Sequence, residues 1–180
     1  MELKIVSRQS KDYGLVKKLY KQAFPANERA PFWLLMRKAK AGKADFWALY
    51  DKEKWVGISY VVTYKNLAYI FYLAICAEER SKGYGEKAIY LLKDRYYGKK
   101  IFLALESLDN TADNYAQRIR RHEFYLKCGL IDIPYKLKEA SVIYDLMGFG
   151  GTVEPEEYRE MIENYLGHFL SRLIDMRIIK

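Results

Sequence analysis

Apolar positions recur along this chain in two rhythms, and the segments where each holds predict its elements. Leu3 to Val6 reads as a short strand. Leu15, Val16, Leu19, Tyr20 and Ala23 then share one helical face, with Ser10 as the cap and Pro25 as the stop. A second short helix is predicted from Pro31, carrying Trp33, Leu34 and Leu35 and ended by Gly42. Three strands follow over residues 46–50, 55–64 and 67–76, with breaks of hairpin length between them. The third is apolar on both faces, the mark of a central, doubly covered strand. Beyond Gly83 and Gly85, helical spacing returns at Ala88, Ile89, Leu92 and Tyr96, and residues 101–105 form another buried strand. A polar helix over 113–127 and a hairpin of strands 131–137 and 141–147 lead to the break Gly148-Phe149-Gly150-Gly151. Pro155 opens a final stripe, Tyr158, Met161, Ile162, Tyr165, Leu166, Phe169, Leu170, Leu173 and Ile174, about five helical turns long.

The order βααβββαβαββα contains no repeat. The central strand, glycine loop, helix and strand form a right-handed crossover, which makes the two most buried strands parallel neighbours. Hairpins on either side add antiparallel strands. The expectation is an α+β fold: a mixed, mostly antiparallel central sheet with helices on both faces and an added C-terminal amphipathic helix. Residues 1–150 read as one domain, and residues 151–180 as a helix docking on that domain or on a second subunit of a homodimer. Glu157, Glu160 and Glu163 lie off the stripe while Arg172, Arg177 and Lys180 come late, which suits the helix dipole rather than a basic membrane-surface helix.

Composition narrows the class. Apolar residues make up 51% of the chain and 17 + 8 + 3 = 28 residues are aromatic, which excludes disorder. The balance of 31 − 23 = +8 points to an anionic partner: nucleic acid, an acidic membrane or a phosphorylated small molecule. Lys and Arg are spread over every element, which disfavours the first two. Cys76 and Cys128 form no CxxC pair, and with only His122 and His168 there is no metal-ligand spacing, so no metal is expected. The N-terminus lacks a signal-peptide pattern, and the longest apolar run is about half a membrane span, so a soluble, cytoplasmic protein is expected.

The chemical signal is Arg80-Ser81-Lys82-Gly83-Tyr84-Gly85, between a buried strand and an amphipathic helix. Such a loop aims unpaired backbone N–H groups at one point, the helix dipole adds positive potential, and glycine lets an anion approach closely. Arg80 and Lys82 add charge. The spacing fits neither the Walker A pattern nor, beyond the partial match Gly83-x-Gly85-x-x-Ala88, the dinucleotide fingerprint, whose fold would need repeated βαβ units.

Arg80-x-x-Gly83-x-Gly85 resembles the coenzyme loop of the GCN5-related N-acetyltransferase (GNAT) family, and Leu73 to Arg80 resembles the strand that enters it. Downstream, Phe124-Tyr125-Leu126-Lys127-Cys128-Gly129-Leu130 is similar to the family's Phe-Tyr-x-x-x-Gly-Phe helix ending. With the order of elements, the resemblance covers about four-fifths of the chain. It implies an enzyme transferring acetyl from acetyl-coenzyme A to an amine of a small molecule or peptide by direct attack. The loop residues Arg80, Ser81, Lys82, Gly83, Tyr84 and Gly85 would hold the pyrophosphate, and Leu73, Ala74 and Ile75 would lie along the pantetheine. The rival reading is a non-catalytic, basic nucleic-acid-binding or regulatory module on the same fold; a nucleotide-binding domain is a third.

Acetyl transfer needs a neutral amine, a polarised thioester and a proton for the departing thiolate. The resemblance makes Tyr125 the proton donor. Glu106, just past the second buried strand, is the expected base, while Glu78 and Glu79 are expected to be solvated loop carboxylates. Where many members carry an Asn seven positions before the Tyr, this chain has Arg118, which is expected to reach a coenzyme phosphate. The joint between the first two helices supplies the acceptor-side expectations: Glu28 to hold a cationic amine and Trp33 to line its stem. His122 and His168 receive no role.

Overall fold

A computed structural model describes residues 1–26, 29–139, 142–167, 171 and 176–179. Its elements in chain order are β1 (Glu2–Ile5), α1 (Tyr13–Ala23), α2 (Phe32–Lys40), β2 (Ala44–Asp51), β3 (Lys54–Tyr64) and β4 (Leu67–Ile75). A 3-10 turn (Ala77–Glu79) then precedes α3 (Tyr84–Arg95), β5 (Lys100–Glu106), α4 (Tyr115–Lys127), β6 (Ile131–Glu139), β7 (Val142–Phe149), α5 (Pro155–Leu166) and β8 (Met176–Ile179). The strands form one eight-stranded sheet in the order β1-β2-β3-β4-β5-β7-β6-β8. The pairs β1–β2, β2–β3, β5–β7, β6–β7 and β6–β8 are antiparallel, and β4–β5 is the parallel crossover pair. The mixed, mostly antiparallel α+β expectation holds.

The chain divides into two compact units: residues 1–62 with 70–97, and residues 63–69 with 98–180. The first unit owes its core to aromatics spaced for different elements. Tyr20 and Phe24 at the end of α1, Phe32 in α2, Phe46 in β2, Tyr60 in β3 and Tyr72 in β4 make edge and tilted contacts at centroid distances of 4.7 to 6.3 Å. Aromatic pairs favour such offset geometries. The hydroxyls are satisfied as they are buried: Tyr20 donates to Ala30 O at 2.8 Å and Tyr60 to Leu35 O at 3.2 Å. Many of the 17 tyrosines are therefore core residues with one polar end.

In the second unit Tyr69 of β4 stacks on Phe102 of β5 at 4.6 Å, where the parallel register pairs them. Tyr158 of α5 sets its edge against both rings, at 6.1 and 6.2 Å. Lys100–Glu157 and Lys65–Glu160 ion pairs fasten the same helix. The tail helix thus packs within its own chain. It starts on a capping box between Glu154 and Glu157, with Pro155 in the first turn.

The tail departs from its predicted length. Helix α5 ends at Leu166, with Gly167 at φ +92° as its C-cap. Met176–Ile179 is not helical but a strand paired with Lys136–Glu139 of β6. Arg177 therefore decorates a strand edge instead of a helix C-terminus. Phe169, Leu170, Leu173, Ile174, Arg172, Lys180 and His168 lie outside the described residues. The predicted N-cap of α1 also differs: Asp12 holds that position, and the Ser10 hydroxyl accepts from Ser7 N at 2.8 Å.

Candidate active site

The parallel register of β4 with β5 includes Leu67 with Lys100, Ala68 with Ile101 and Tyr69 with Phe102. Ile70–Ile75 continue the strand towards the loop. Leu73, Ala74 and Ile75 lie on this stretch, with Leu73 and Ile75 half-buried and Ala74 buried. This stretch is packed against β3 so closely that a Cβ on Gly57 would lie 2.4 Å from Ala74 O. Cys76 N donates to Val56 O at 2.9 Å there. Glycine at 57 is what lets the two backbones meet.

The chain then turns into the loop. Ser81 at φ +61° and Gly83 at φ +78° take left-handed conformations, and Gly83 is the N-cap of α3. An added Cβ at Gly83 would meet nothing within 4 Å, so it is φ and not crowding that demands glycine. Among the described residues the N–H groups of Ser81, Lys82 and Gly83 make no backbone hydrogen bond, and the first N–H groups of any helix have no partner in their own helix. Ser81, Lys82 and Gly83 are exposed. These donors, α3's dipole and the exposed Arg80 side chain form a cradle suited to a pyrophosphate. The Tyr84 side chain points away from this task and donates to Asp51 of the β2–β3 hairpin at 2.9 Å.

The loop's shape is held from below by Glu79. Its side chain is only 8% exposed, with Lys54 of the hairpin at 2.6 Å and Lys82 of the loop at 3.3 Å. This corrects the expectation of a solvated carboxylate. Hydrogen bonding from the Lys54 ammonium, against the burial that opposes it and with help from Lys82, holds the Glu79 carboxyl below its ordinary range. Glu78, its neighbour, is exposed as expected.

In the second unit Glu106 ends β5 and is gripped from α4. Arg118 Nη2 lies 3.2 Å from Oε1, Arg121 Nη1 lies 3.3 Å from Oε2, and Asn114 Nδ2 donates to Oε1 at 3.3 Å. Arg118 also donates from Nη1 to Ser107 O and from Nε to Asn114 Oδ1, each at 2.7 Å. The guanidinium expected at a coenzyme phosphate is thus engaged by its own strand and helix. The sequence pointed to Arg118 as a coenzyme contact; Asn114, Arg118 and Arg121 converge instead on Glu106 because they sit at steps of four and three on one helical face. Tyr125 lies one further turn along that helix, half-buried, with its ring against Phe124 and its hydroxyl without a hydrogen bond among the described residues. Burial pushes its phenol up to about 12, with the Arg121 guanidinium partly opposing.

The acceptor-side residues separate. Glu28 lies outside the described residues, but its joint is anchored on β4: Ala30 N donates to Tyr72 OH at 3.1 Å, and Phe24 packs on the same ring. Trp33 is not brought to the loop. It is 60% exposed on α2 and lines a cleft with residues from the start of β2, whereas the loop is tied to the end of β2.

Two other groups are settled by their surroundings. Cys76 and Cys128 are free and buried, and burial pushes the Cys76 thiol up to about 11. His122 Nε2 sits 2.7 Å from Asp132 Oδ1. Among the described residues no helix is long and apolar enough to cross a membrane, and no group of three or more His, Cys, Asp and Glu could hold a metal.

Comparison with solved structures gives the same fold at low identity. A structure from Bacteroides thetaiotaomicron described as a GNAT-family acetyltransferase matches with TM-score 0.71 and 18% identity, over 95% of this chain and 98% of that one. The aminoglycoside 6'-N-acetyltransferase from Enterococcus faecium matches with TM-score 0.61 and 16% identity, over 83% and 96%. A variant of spermidine N-acetyltransferase from Vibrio cholerae matches with TM-score 0.62 and 15% identity, over 83% and 94%. A comparison with curated proteins gives no match. The profile of the acetyltransferase (GNAT) family matches residues 13–130, a span that includes β4, the loop and all of α4. With the cradle of the first unit and the Phe-Tyr helix of the second both inside that span, the chain belongs to the GNAT acetyltransferases, enzymes whose acetyl donor is acetyl-coenzyme A.

Proposed function

We propose that this protein transfers an acetyl group from acetyl-coenzyme A to an amine of a small molecule or peptide, by direct attack. The observation that carries the reading is the loop: a glycine N-cap at φ +78° and N–H groups that make no backbone hydrogen bond among the described residues, directly after β4. Ser81, Lys82, Gly83, Tyr84 and Gly85 offer backbone donors to the pyrophosphate, with Arg80 as formal charge. Leu73, Ala74 and Ile75 pair with the pantetheine.

The neutral amine attacks the thioester carbonyl, the C–S bond breaks, and the thiolate takes a proton from Tyr125. A phenol pushed up to about 12 remains protonated throughout the neutral range, as a donor must. Glu106 receives the amine proton through water. Arg118 and Arg121 orient that carboxylate. A Cys76 thiol held at about 11 is poorly suited to an acyl-enzyme route, which favours direct attack.

Relatives of this fold include enzymes named for aminoglycosides and spermidine, so a cationic small-molecule amine is the first acceptor class to try. The test is thiol release from acetyl-CoA with spermidine, an aminoglycoside and a lysine peptide as acceptors, with oligonucleotide binding in parallel. Acceptor-dependent release is expected. Oligonucleotide binding without coenzyme binding would establish the rival module instead. Gly83→Glu, which places a carboxylate in the cradle, is expected to abolish coenzyme binding, and undiminished affinity would reject the loop assignment.

A further inference from the structure

The first unit contains a second concavity that acetyl transfer does not use. The turn after β1, the outer face of α2 and the first residues of β2 enclose a cleft of about 770 Å³, within the usual size of small-molecule sites. Val6 and Phe46 form its apolar floor. Its wall is the exposed Trp33 indole, with the Arg37 guanidinium 5.2 Å over the ring. Arg8 and Lys40 complete the lining on the basic side and Asp45 on the acidic side.

Three features mark it as more than a surface hollow. Arg8, Arg37 and Lys40 make no ion pair among the described residues, so the cleft carries three cations against one carboxylate. The dipole of α2 accounts for basic residues in its last turn, but not for Arg8, which arrives from a different element. The neighbouring Lys38 is pushed down by burial and then by Arg37 and Lys43, showing how densely cations crowd here. The carboxylate, for its part, is held in place: Trp47 Nε1 donates to Tyr96 OH at 2.8 Å, and that hydroxyl donates to Asp45 Oδ2 at 2.7 Å. Trp47 and Tyr96 are buried, and strand alternation puts Asp45 with Trp47 on the face opposite Phe46, so this carboxylate is turned towards Tyr96 rather than towards the cleft's cations.

The cleft and the coenzyme loop lie at opposite ends of β2. Ala44, Asp45 and Phe46 line the cleft, whereas Asp51 receives Tyr84 of the loop. Six residues of strand separate them by ~20 Å. We propose that this cleft is a second ligand site, for a small organic anion with a flat apolar body. Arg8, Arg37 and Lys40 take the carboxylate or phosphate. The flat body lies against the exposed Trp33 indole.

Calorimetric titration of the full chain tests this, with 4-hydroxybenzoate as the carboxylate probe and 4-aminophenyl phosphate as the phosphate monoester. Saturable one-site binding of either supports the site, and the tighter probe identifies the anion. Trp33→Ala and the double change Arg8→Gln, Arg37→Gln are each expected to weaken binding at least about tenfold, with unaltered thermal unfolding because these side chains are exposed. Saturating coenzyme A and the change Gly83→Glu should both leave probe binding intact. No saturable binding of either probe, equal binding by the variants, displacement by coenzyme A, or equal affinity for benzylamine would each overturn the proposal.

Discussion

Glu79 and Glu106 are each gripped by two cationic side chains, one carboxylate in each unit, and the two grips are built differently. Glu79 sits beneath the coenzyme loop and takes Lys54 from the β2–β3 hairpin and Lys82 from the loop itself, so two segments remote in sequence are tied at one point. Glu106 takes two arginines and Asn114 from a single face of α4. Ammonium groups act as point charges that pull segments together, whereas planar guanidinium groups fix a carboxylate's orientation. The first grip therefore shapes a backbone, and the second aims a functional group. The side-chain exposures agree, at 8% for Glu79 and 23% for Glu106.

Substitutions can break that contrast. The largest expected effect is on Tyr125, one turn beyond the Glu106 grip: Tyr125→Phe should lower kcat about a hundredfold, the usual scale of proton transfer by a side chain, with acetyl-CoA KM little changed. Its phenol, held at about 12, should also leave the pH–rate profile without an alkaline limb up to about pH 10, and a limb that persisted in Tyr125→Phe would belong to another group. Steady-state kinetics across pH checks both. Gly57→Ala comes next, since its Cβ would overlap Ala74 O and push β3 from β4; about 1–3 kcal/mol of stability should be lost in denaturant titration.

The carboxylates themselves are the sharpest pair. Glu79→Gln should raise acetyl-CoA KM about tenfold at nearly constant kcat, because the loop loses its tether. Glu106→Gln should do the reverse, lowering kcat by about the same factor at nearly constant KM. Identical effects of the two changes on stability alone would reduce both to structural ion pairs. Acid separates them further. The folded Glu79 carboxyl lies below its ordinary value of 4.5, so its contribution is complete at neutral pH and is lost as pH falls through the depressed folded value. Thermal unfolding followed from about pH 6 to about pH 3 should show a drop that Glu79→Gln lessens.

The smallest effect concerns the tyrosines of the two cores. Tyr20 and Tyr60 in the first unit hydrogen-bond their hydroxyls, whereas the Tyr158 hydroxyl in the second is buried with no partner among the described residues. Tyr158→Phe should therefore leave the melting temperature unchanged or raise it slightly, because it removes a desolvated group without breaking a bond. Tyr20→Phe should lower the melting temperature, with a loss of stability of about 1 kcal/mol, the usual worth of one buried hydrogen bond.

The strand–loop–helix unit was legible because it is local. Gly83 and Gly85 lie next to the segment they shape, and the apolar run from Leu67 could only be a central strand. The tail was harder: its stripe continued at helical steps past Gly167, but a glycine at φ +92° ends the helix, and Met176–Ile179 has β6 as a partner that no local periodicity reveals. Glu79 looked like a surface residue because its main partner, Lys54, lies on another hairpin. Arg118 looked like a coenzyme ligand because its distance from Tyr125 was visible while the closeness of Glu106 was not.

The sequence by itself determined the element order, the crossover, the glycine loop and the Phe-Tyr helix ending, all of which follow from periodicity and short-range sterics. Only the tertiary structure decided which carboxylate is buried, which arginines are engaged, where the tail helix docks, and that Trp33 belongs to a cleft at the far end of β2. Those outcomes depend on charges and rings contributed by distant segments. Their energies exist only once the strands have brought those segments together.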